Sequence, residues 1–404
     1  MNDFEKLYEN LNPEQRKAVD HLEGPMMVIA GAGTGKTQVI AMRIANIIRQ
    51  TGVEPFNILC LTFTESGVSA MRERLIKILG TSGYYVRVQT FHGFCQEVIE
   101  ENPQRFVFAR ELKLLNDLEK IQHLNKVLDS KSIENPLKTY GDPYFYRASI
   151  LQQISNLKRE SVSADDLREM AESSNGFLQD YKEVLDNFIA MHASKITEEE
   201  VQKLLLLVQD MNGDSLRNYL HKSFATLIYQ GMAELEISKN GKPSYRRIKD
   251  GVKSFVETLD KHIPKQMALA DIYSEYQDGL LRNGRYDFDD MVLFVLRELT
   301  QNKTLLAEYQ EKYPYILVDE YQDTNAAQNG LVRLLGEGVE MPNVFVVGDD
   351  DQAIYRFQGA NLDNILAFHQ IYNPHVQIVT LRRNYRSHQG DFGYCRGCDY
   401  KKYS

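Results

Sequence analysis

Short apolar runs alternate with segments whose apolar residues recur every three or four positions, and this alternation predicts the architecture. A first helix opens at Asn12-Pro13-Glu14, where Asn12 can cap and a proline suits the first helical position. Met26 to Ile29 reads as a buried strand, and a helical pattern follows from Gln38 through Ile48. Asn57 to Phe63 reads as a second strand, Glu65 to Leu79 as a helix, and Val86 to Val88 as a third strand that ends in Thr90-Phe91-His92. Strands alternating with helices predict an α/β fold, a parallel sheet with helices on both faces and ligands at the carboxyl ends of its strands.

From about Cys95 to about Arg285 the alternation stops and long helical patterns replace it. Val201, Leu204, Leu205, Val208 and Met211 share one helical face, and Leu269, Ile272, Tyr273, Tyr276 and Leu280 share another. Thr197 and Glu200 have capping-box spacing. The stretch Lys239 to Lys253 is locally basic around Tyr245, and reads either as an exposed turn or as a phosphate contact. The sheet pattern resumes at Tyr315 to Val318, Val344 to Val347 and Val376 to Leu381. The expected organisation is a discontinuous sheet lobe over residues 1–95 and 285–388, an inserted helical subdomain over 96–284, and an irregular tail over 389–404.

Candidate chemistry sits where strands end. Between the first strand and its helix lies Ala30-Gly31-Ala32-Gly33-Thr34-Gly35-Lys36-Thr37, in the order that a P-loop needs. Its glycines let backbone N–H groups turn toward a phosphate chain at the positive end of a helix. Lys36 can reach terminal phosphates, and the Thr37 hydroxyl can ligate magnesium. Ala30 replaces the usual first glycine and is small enough to fit. Gln15 lies just upstream, where its amide can read an adenine edge. Tyr315 to Val318 ends in Asp319-Glu320-Tyr321-Gln322-Asp323. Two adjacent carboxylates at a strand end suit phosphoryl transfer, one holding magnesium and the other accepting a proton from the attacking water.

Composition narrows the class. At 404 residues the chain exceeds one typical domain. A formal charge of -9 gives no overall attraction to nucleic acid, so such binding requires a local site. No apolar run approaches the roughly 18 residues of a membrane helix, and the four cysteines suit a reducing cytoplasm. Cys395 and Cys398 form a CxxC, which without a second pair is at best half a zinc site and reads rather as a chance spacing in the tail.

Together these motifs resemble the UvrD/Rep family of superfamily 1 DNA helicases. LNPEQ is similar to its Q motif, AGAGTGKT to Walker A, LTFT with Met71 and Arg74 to motif Ia, and TFHGF to the DNA-contact motif after it. YDFDD, VDEYQD, VGDDDQAIYRFQGA and NYRS follow in the family's order. The resemblance implies RecA-like lobes with ATP and Mg2+ in the cleft between them, and single-stranded DNA crossing above during 3′ to 5′ translocation and duplex unwinding. It implies nucleotide contacts from Gln15, the loop Ala30 to Thr37, Gln38 and Tyr385, with Tyr385 stacking on adenine, and magnesium on Thr37 and Asp319. Lys36, Glu320, Gln352 and Arg386 are the implied catalytic set: phosphate ligand, water activator, γ-phosphate sensor and arginine finger. Phe63, Thr90, His92, Tyr355 and Phe357 are the implied DNA contacts.

Gln38 and Gln358 stand where relatives usually carry arginine. After NYRS the tail HQGDFGYCRGCDYKKYS lacks the apolar periodicity of a second lobe, so a truncated or frameshifted product is expected, or a partner protein that supplies that lobe. ATP binding is expected to survive, with slow hydrolysis, because an arginine finger contributes roughly 10³ to 10⁵ in rate. An ATP-gated DNA-binding or regulatory module and the helicase part of a helicase-nuclease are the alternatives.

Overall fold

The computed structural model describes residues 3–106, 113–209, 223–224, 226–230, 232–233, 236–237, 243–339, 341–349 and 362–385. They divide into two compact units. One comprises the described parts of Met1–Leu114, Lys158–Ser161 and Tyr286–Ser404; the other comprises those of Leu115–Leu157 and Val162–Arg285. The sheet unit thus extends further along the chain than residue 95.

Strands β1 (Met26–Ala30), β2 (Ile58–Thr62), β3 (Arg87–Thr90), β4 (Tyr315–Val318), β5 (Asn343–Gly348) and β6 (Gln377–Leu381) form one sheet in the order β6-β1-β5-β4-β2-β3. Every pairing is parallel, with Met26 opposite both Phe345 and Gln377 and Cys60 opposite both Leu317 and Val88. Successive side chains alternate between two cores, as the two-residue period of a strand requires. Met27, Leu59, Leu61, Ile316, Val318, Val344 and Val346 enter one core; Met26, Val28, Ile58, Cys60, Leu317, Phe345 and Val347 enter the other. Burial on both faces is why these strands read as unbroken apolar runs.

Helices α1 (Asp3–Glu9), α2 (Pro13–Asp20), α3 (Lys36–Thr51) and α4 (Glu65–Leu79) cover the second core. The first core is covered by α5 (Phe91–Glu101) and by the helices Phe288–Gln301, Lys303–Lys312 and Ala326–Gly336. Caps set the boundaries: Asn12 and Gln15 form a reciprocal capping box on α2, and Gly52, left-handed at φ 70°, ends α3. Within the same unit the fully buried Lys158 ammonium bridges Asp287 and Asp290, at 2.6 and 2.7 Å. Burial works against the lysine's charge, but Asp290 and Asp287 hold its pKa above the ordinary value.

The helical unit is built on the long helices Ala164–Ala190 and Arg246–Arg282. Val201, Leu204 and Leu205 are buried there as the helical pattern requires, as are Ile272, Tyr273, Tyr276 and Leu280; Val208 and Met211 lie outside the described side chains. Tyr245 is 5% exposed and packs in this core, so it offers no ring to a nucleic acid. Among the described residues no helix is long and apolar enough to cross a membrane.

Candidate active site

The carboxyl ends of the strands converge on one loop. After β1 the chain turns through Gly31 to Gly35, and the Thr34 N–H and hydroxyl both donate to the Gly31 carbonyl, at 3.4 and 2.8 Å. Gly33 and Gly35 adopt φ 80° and 89°, left-handed angles that glycine takes without steric cost. A Cβ on Gly35 would also lie 3.0 Å from the Gln15 side-chain nitrogen. The loop opens directly into α3, so Lys36 and Thr37 occupy its first turn, where partial positive charge favours an anion. Ala30 is a buried strand end paired with Leu381 and replaces the first glycine without strain in the loop.

Gln15 holds this loop from behind. It is 5% exposed, its Oε1 accepts from the Asn12 N–H, and its Nε2 donates to the Thr34 carbonyl at 3.0 Å. The amide is therefore engaged with the chain itself. On the other side, the Tyr385 N–H donates to the Gly33 carbonyl at 2.8 Å and the Asn384 amide donates to the Ala32 carbonyl at 2.9 Å. The half-exposed Tyr385 ring lies under the Arg383 guanidinium, and its hydroxyl accepts from the Asn12 amide. Tyr385 thus stands beside the glycine loop despite its distance in sequence. Gln38 is partly buried, and its Nε2 has no partner among the described residues.

Opposite Lys36 is a carboxylate cluster. Its Nζ lies 2.7 Å from Glu320 Oε2 and 3.9 Å from Asp349 Oδ2. The Asp319 N–H donates to the Leu61 carbonyl, while its side chain accepts from the Glu320 N–H at 2.9 Å. Burial, then the neighbouring Glu320 charge, pushes the Asp319 carboxyl up to about 6. Asp323 is raised for the same two reasons. Glu320 has φ 50°, a left-handed angle that costs a non-glycine residue about 1–3 kcal/mol and persists only where surrounding contacts enforce it. The Thr37 hydroxyl and the Asp319 carboxylate are hard oxygen donors in a site with excess negative charge, a donor set that fits magnesium.

The DNA-side candidates are arranged differently from one another. Phe63 follows β2 and is 40% exposed. Thr90 is buried; its hydroxyl accepts from the Gly93 N–H as the cap of α5 and donates to Glu65. The His92 ring stacks on Phe288 at 3.7 Å, and burial lowers its pKa to about 4, so the ring is neutral at physiological pH. Gln352, Tyr355, Phe357, Gln358, Arg386 and the Cys395–Cys398 pair lie outside the described residues. Gln322, Asp349 and Asn384 were not singled out by sequence reasoning, although each lies inside a motif that was.

A glycine-rich loop, a basic first-turn residue and paired strand-end carboxylates in one sheet agree with comparison to known proteins. Residues 11–373 match the UvrD/REP helicase N-terminal domain. The chain belongs to this family. Its relatives include the ATP-dependent DNA helicase PcrA of Bacillus subtilis (strain 168), 30% identical over 382 residues. PcrA of Staphylococcus aureus (strain Mu50) is 29% identical and PcrA of Staphylococcus epidermidis (strain RP62A) 28% identical, each over 381 residues. These matches cover 95% of this chain for the first and 94% for the others, but 38% of each relative. The chain spans that minority share of the curated relatives it matches.

Proposed function

We propose that this chain is the ATP-binding part of an ATP-dependent DNA helicase or translocase, which binds ATP and Mg2+ and hydrolyses ATP to move along single-stranded DNA and open duplex. The observation that carries this reading is Lys36, held 2.7 Å from Glu320 at the first turn of the helix that follows the glycine loop. Incoming phosphates compete with Glu320 for Lys36. Release leaves a carboxylate free to accept a proton from the attacking water. Thr37 and Asp319 would hold magnesium, which supplies neutralisation of phosphate charge when bound. Ala30 to Thr37 would enclose the phosphates, and Tyr385 would stack on adenine from its place beside Gly33. Gln15 would act by fixing the Thr34 carbonyl as well as by meeting the base.

The exposed Phe63 is the best-supported DNA contact among the described residues, since stacking on a base needs an accessible ring. His92 and Thr90 would shape that surface from within. Gln352, Tyr355, Phe357 and Arg386 complete the proposed set as sensor, DNA contacts and arginine finger. The sheet unit and the helical unit would correspond to the family's first lobe and its inserted subdomain. Translocation 3′ to 5′ would involve the second lobe of the family, from a longer chain or a partner protein. A cytoplasmic location agrees with the buried free thiols of Cys60 and Cys95.

Nucleotide binding followed by single-turnover cleavage, with and without single-stranded DNA, tests the reading. ATP binding that survives in Glu320→Gln, with cleavage slowed by about 10² to 10⁴, is the expected result. Failure to bind ATP would overturn it, while tight binding without any cleavage by the unaltered chain would favour an ATP-gated binding module.

A further inference from the structure

Gln322 is 1% exposed and lies two residues beyond Glu320, in the short turn Tyr321–Asp323. Its amide bridges two strand ends. The Nε2 donates to Glu320 Oε2 at 2.9 Å and approaches Asp323 Oδ2 at 3.4 Å, while the Oε1 accepts from the Asp349 N–H at 2.9 Å. A carboxylate demands the NH2 end and an N–H demands the oxygen end, so the two partners together fix the amide's orientation.

The residue before Asp349 makes the bridge possible. A Cβ on Gly348 would lie 3.1 Å from Gln322 Oε1 and 3.3 Å from its backbone nitrogen. The end of β5 can approach the turn this closely because position 348 has no side chain. No charged residue can replace the amide, since lysine has no acceptor and an ionised glutamate has no donor.

We infer that Gln322 is the positioning residue for Glu320, setting the direction of its carboxylate and tying that direction to the end of β5. This rests on the reading of Glu320 as the group that takes the proton from water. Glu320 is 41% exposed along its side chain and is gripped by two donors, Lys36 and Gln322. When phosphates claim Lys36, Gln322 is the remaining side-chain donor to that carboxylate among the described residues. It holds the half-exposed group at one angle through the chemical step, and the left-handed backbone at residue 320 is maintained with it.

Single-turnover ATP cleavage by the full 404-residue chain tests this, with mant-ATP binding measured on the same preparations of Gln322→Met, Gly348→Ala and Glu320→Gln. Gln322→Met is expected to slow cleavage about tenfold to a hundredfold, the loss of one hydrogen bond to a charged group, with mant-ATP affinity held within about twofold. Gly348→Ala touches neither residue's chemistry but displaces the amide, and is expected to lower the rate in the same direction by a smaller factor while binding is kept. Parental rates in both variants, beside a Glu320→Gln that is slowed as expected, overturn this inference alone. Binding lost in proportion to rate in Gln322→Met marks a merely structural residue and overturns it as well. Full cleavage by Glu320→Gln, or none by the unaltered chain, overturns the parent reading and this one with it.

Discussion

The two units of the chain bury polar groups very differently. In the helical unit, tyrosines apart, Ser174 is the one buried polar side chain among the described residues, and it returns its hydroxyl to the Met170 carbonyl one turn earlier. The sheet unit buries Gln15, Arg43, Lys158, Asp287, Asp290, Asp319, Gln322 and Asp349, among others. Burying such groups is costly unless each is paired, and most have hydrogen-bond or ion-pair partners within the unit. A helical scaffold achieves stability from apolar packing. Asp319, Gln322 and Asp349 lie at the candidate site, where desolvated, oriented groups would act strongly on a charged ligand, whereas Arg43 bonds a backbone carbonyl and Lys158 bonds Asp287 and Asp290.

The largest test of this contrast is Lys158→Met. If the buried triad with Asp287 and Asp290 is held together by charge pairing, loss of the cation strands two carboxylates and costs about 3–5 kcal/mol. Chemical denaturation of the full chain checks this, and a cost near zero would mean that water already reaches the site.

Asp319→Asn is expected to stabilise. The folded-state pKa of Asp319 lies near 6, above its ordinary 3.8, so the favourable contribution of the protonated form is complete below pH 3.8 and is lost as pH rises through 6. The rise from 3.8 to about 6 corresponds to about 3 kcal/mol at neutral pH. Asparagine keeps an acceptor for the Glu320 N–H and avoids the buried charge. The variant should melt higher than the parent at pH 8, with the difference closing toward pH 4. Equal melting at pH 8 would show the carboxylate to be solvated.

The smallest effects form a pair. Thr90→Val removes the cap of α5 and should cost about 1 kcal/mol, whereas Ser174→Ala in the helical unit should stay within about 0.5 kcal/mol. Reversal of that order in parallel melts would remove the distinction between the units.

Much of the sheet was legible because its signals are local. The strand expected at Tyr315 to Val318 has those bounds in the structure, and the others differ by a residue or two at their ends, where caps rather than periodicity decide. The helix after the acidic strand end begins at Ala326, because Asn325 caps it with Gln328 after a short turn. The roles within the site were less legible. Thr90 carries its motif and also spends its hydroxyl on a helix cap, and nothing in the sequence separates a capping threonine from one that meets a ligand. Gln322 lay unnoticed in a motif read for its carboxylates, since its importance depends on Asp349, which is distant in sequence.

By itself, then, the sequence determined the strand-loop-helix at Ala30 to Thr37, the acidic strand end at Asp319 and Glu320, and the α/β class, since each follows from short-range periodicity and from backbone angles that glycine permits. Tertiary structure alone decided that β1 lies between β5 and β6. That order puts Lys36 against Glu320, 284 positions away, and brings Tyr385 to Gly33 and Gln322 to Asp349. The physical reason is that a strand's pattern of buried residues specifies that it has neighbours on both sides, while the crossovers that choose those neighbours depend on how the whole chain packs its two cores.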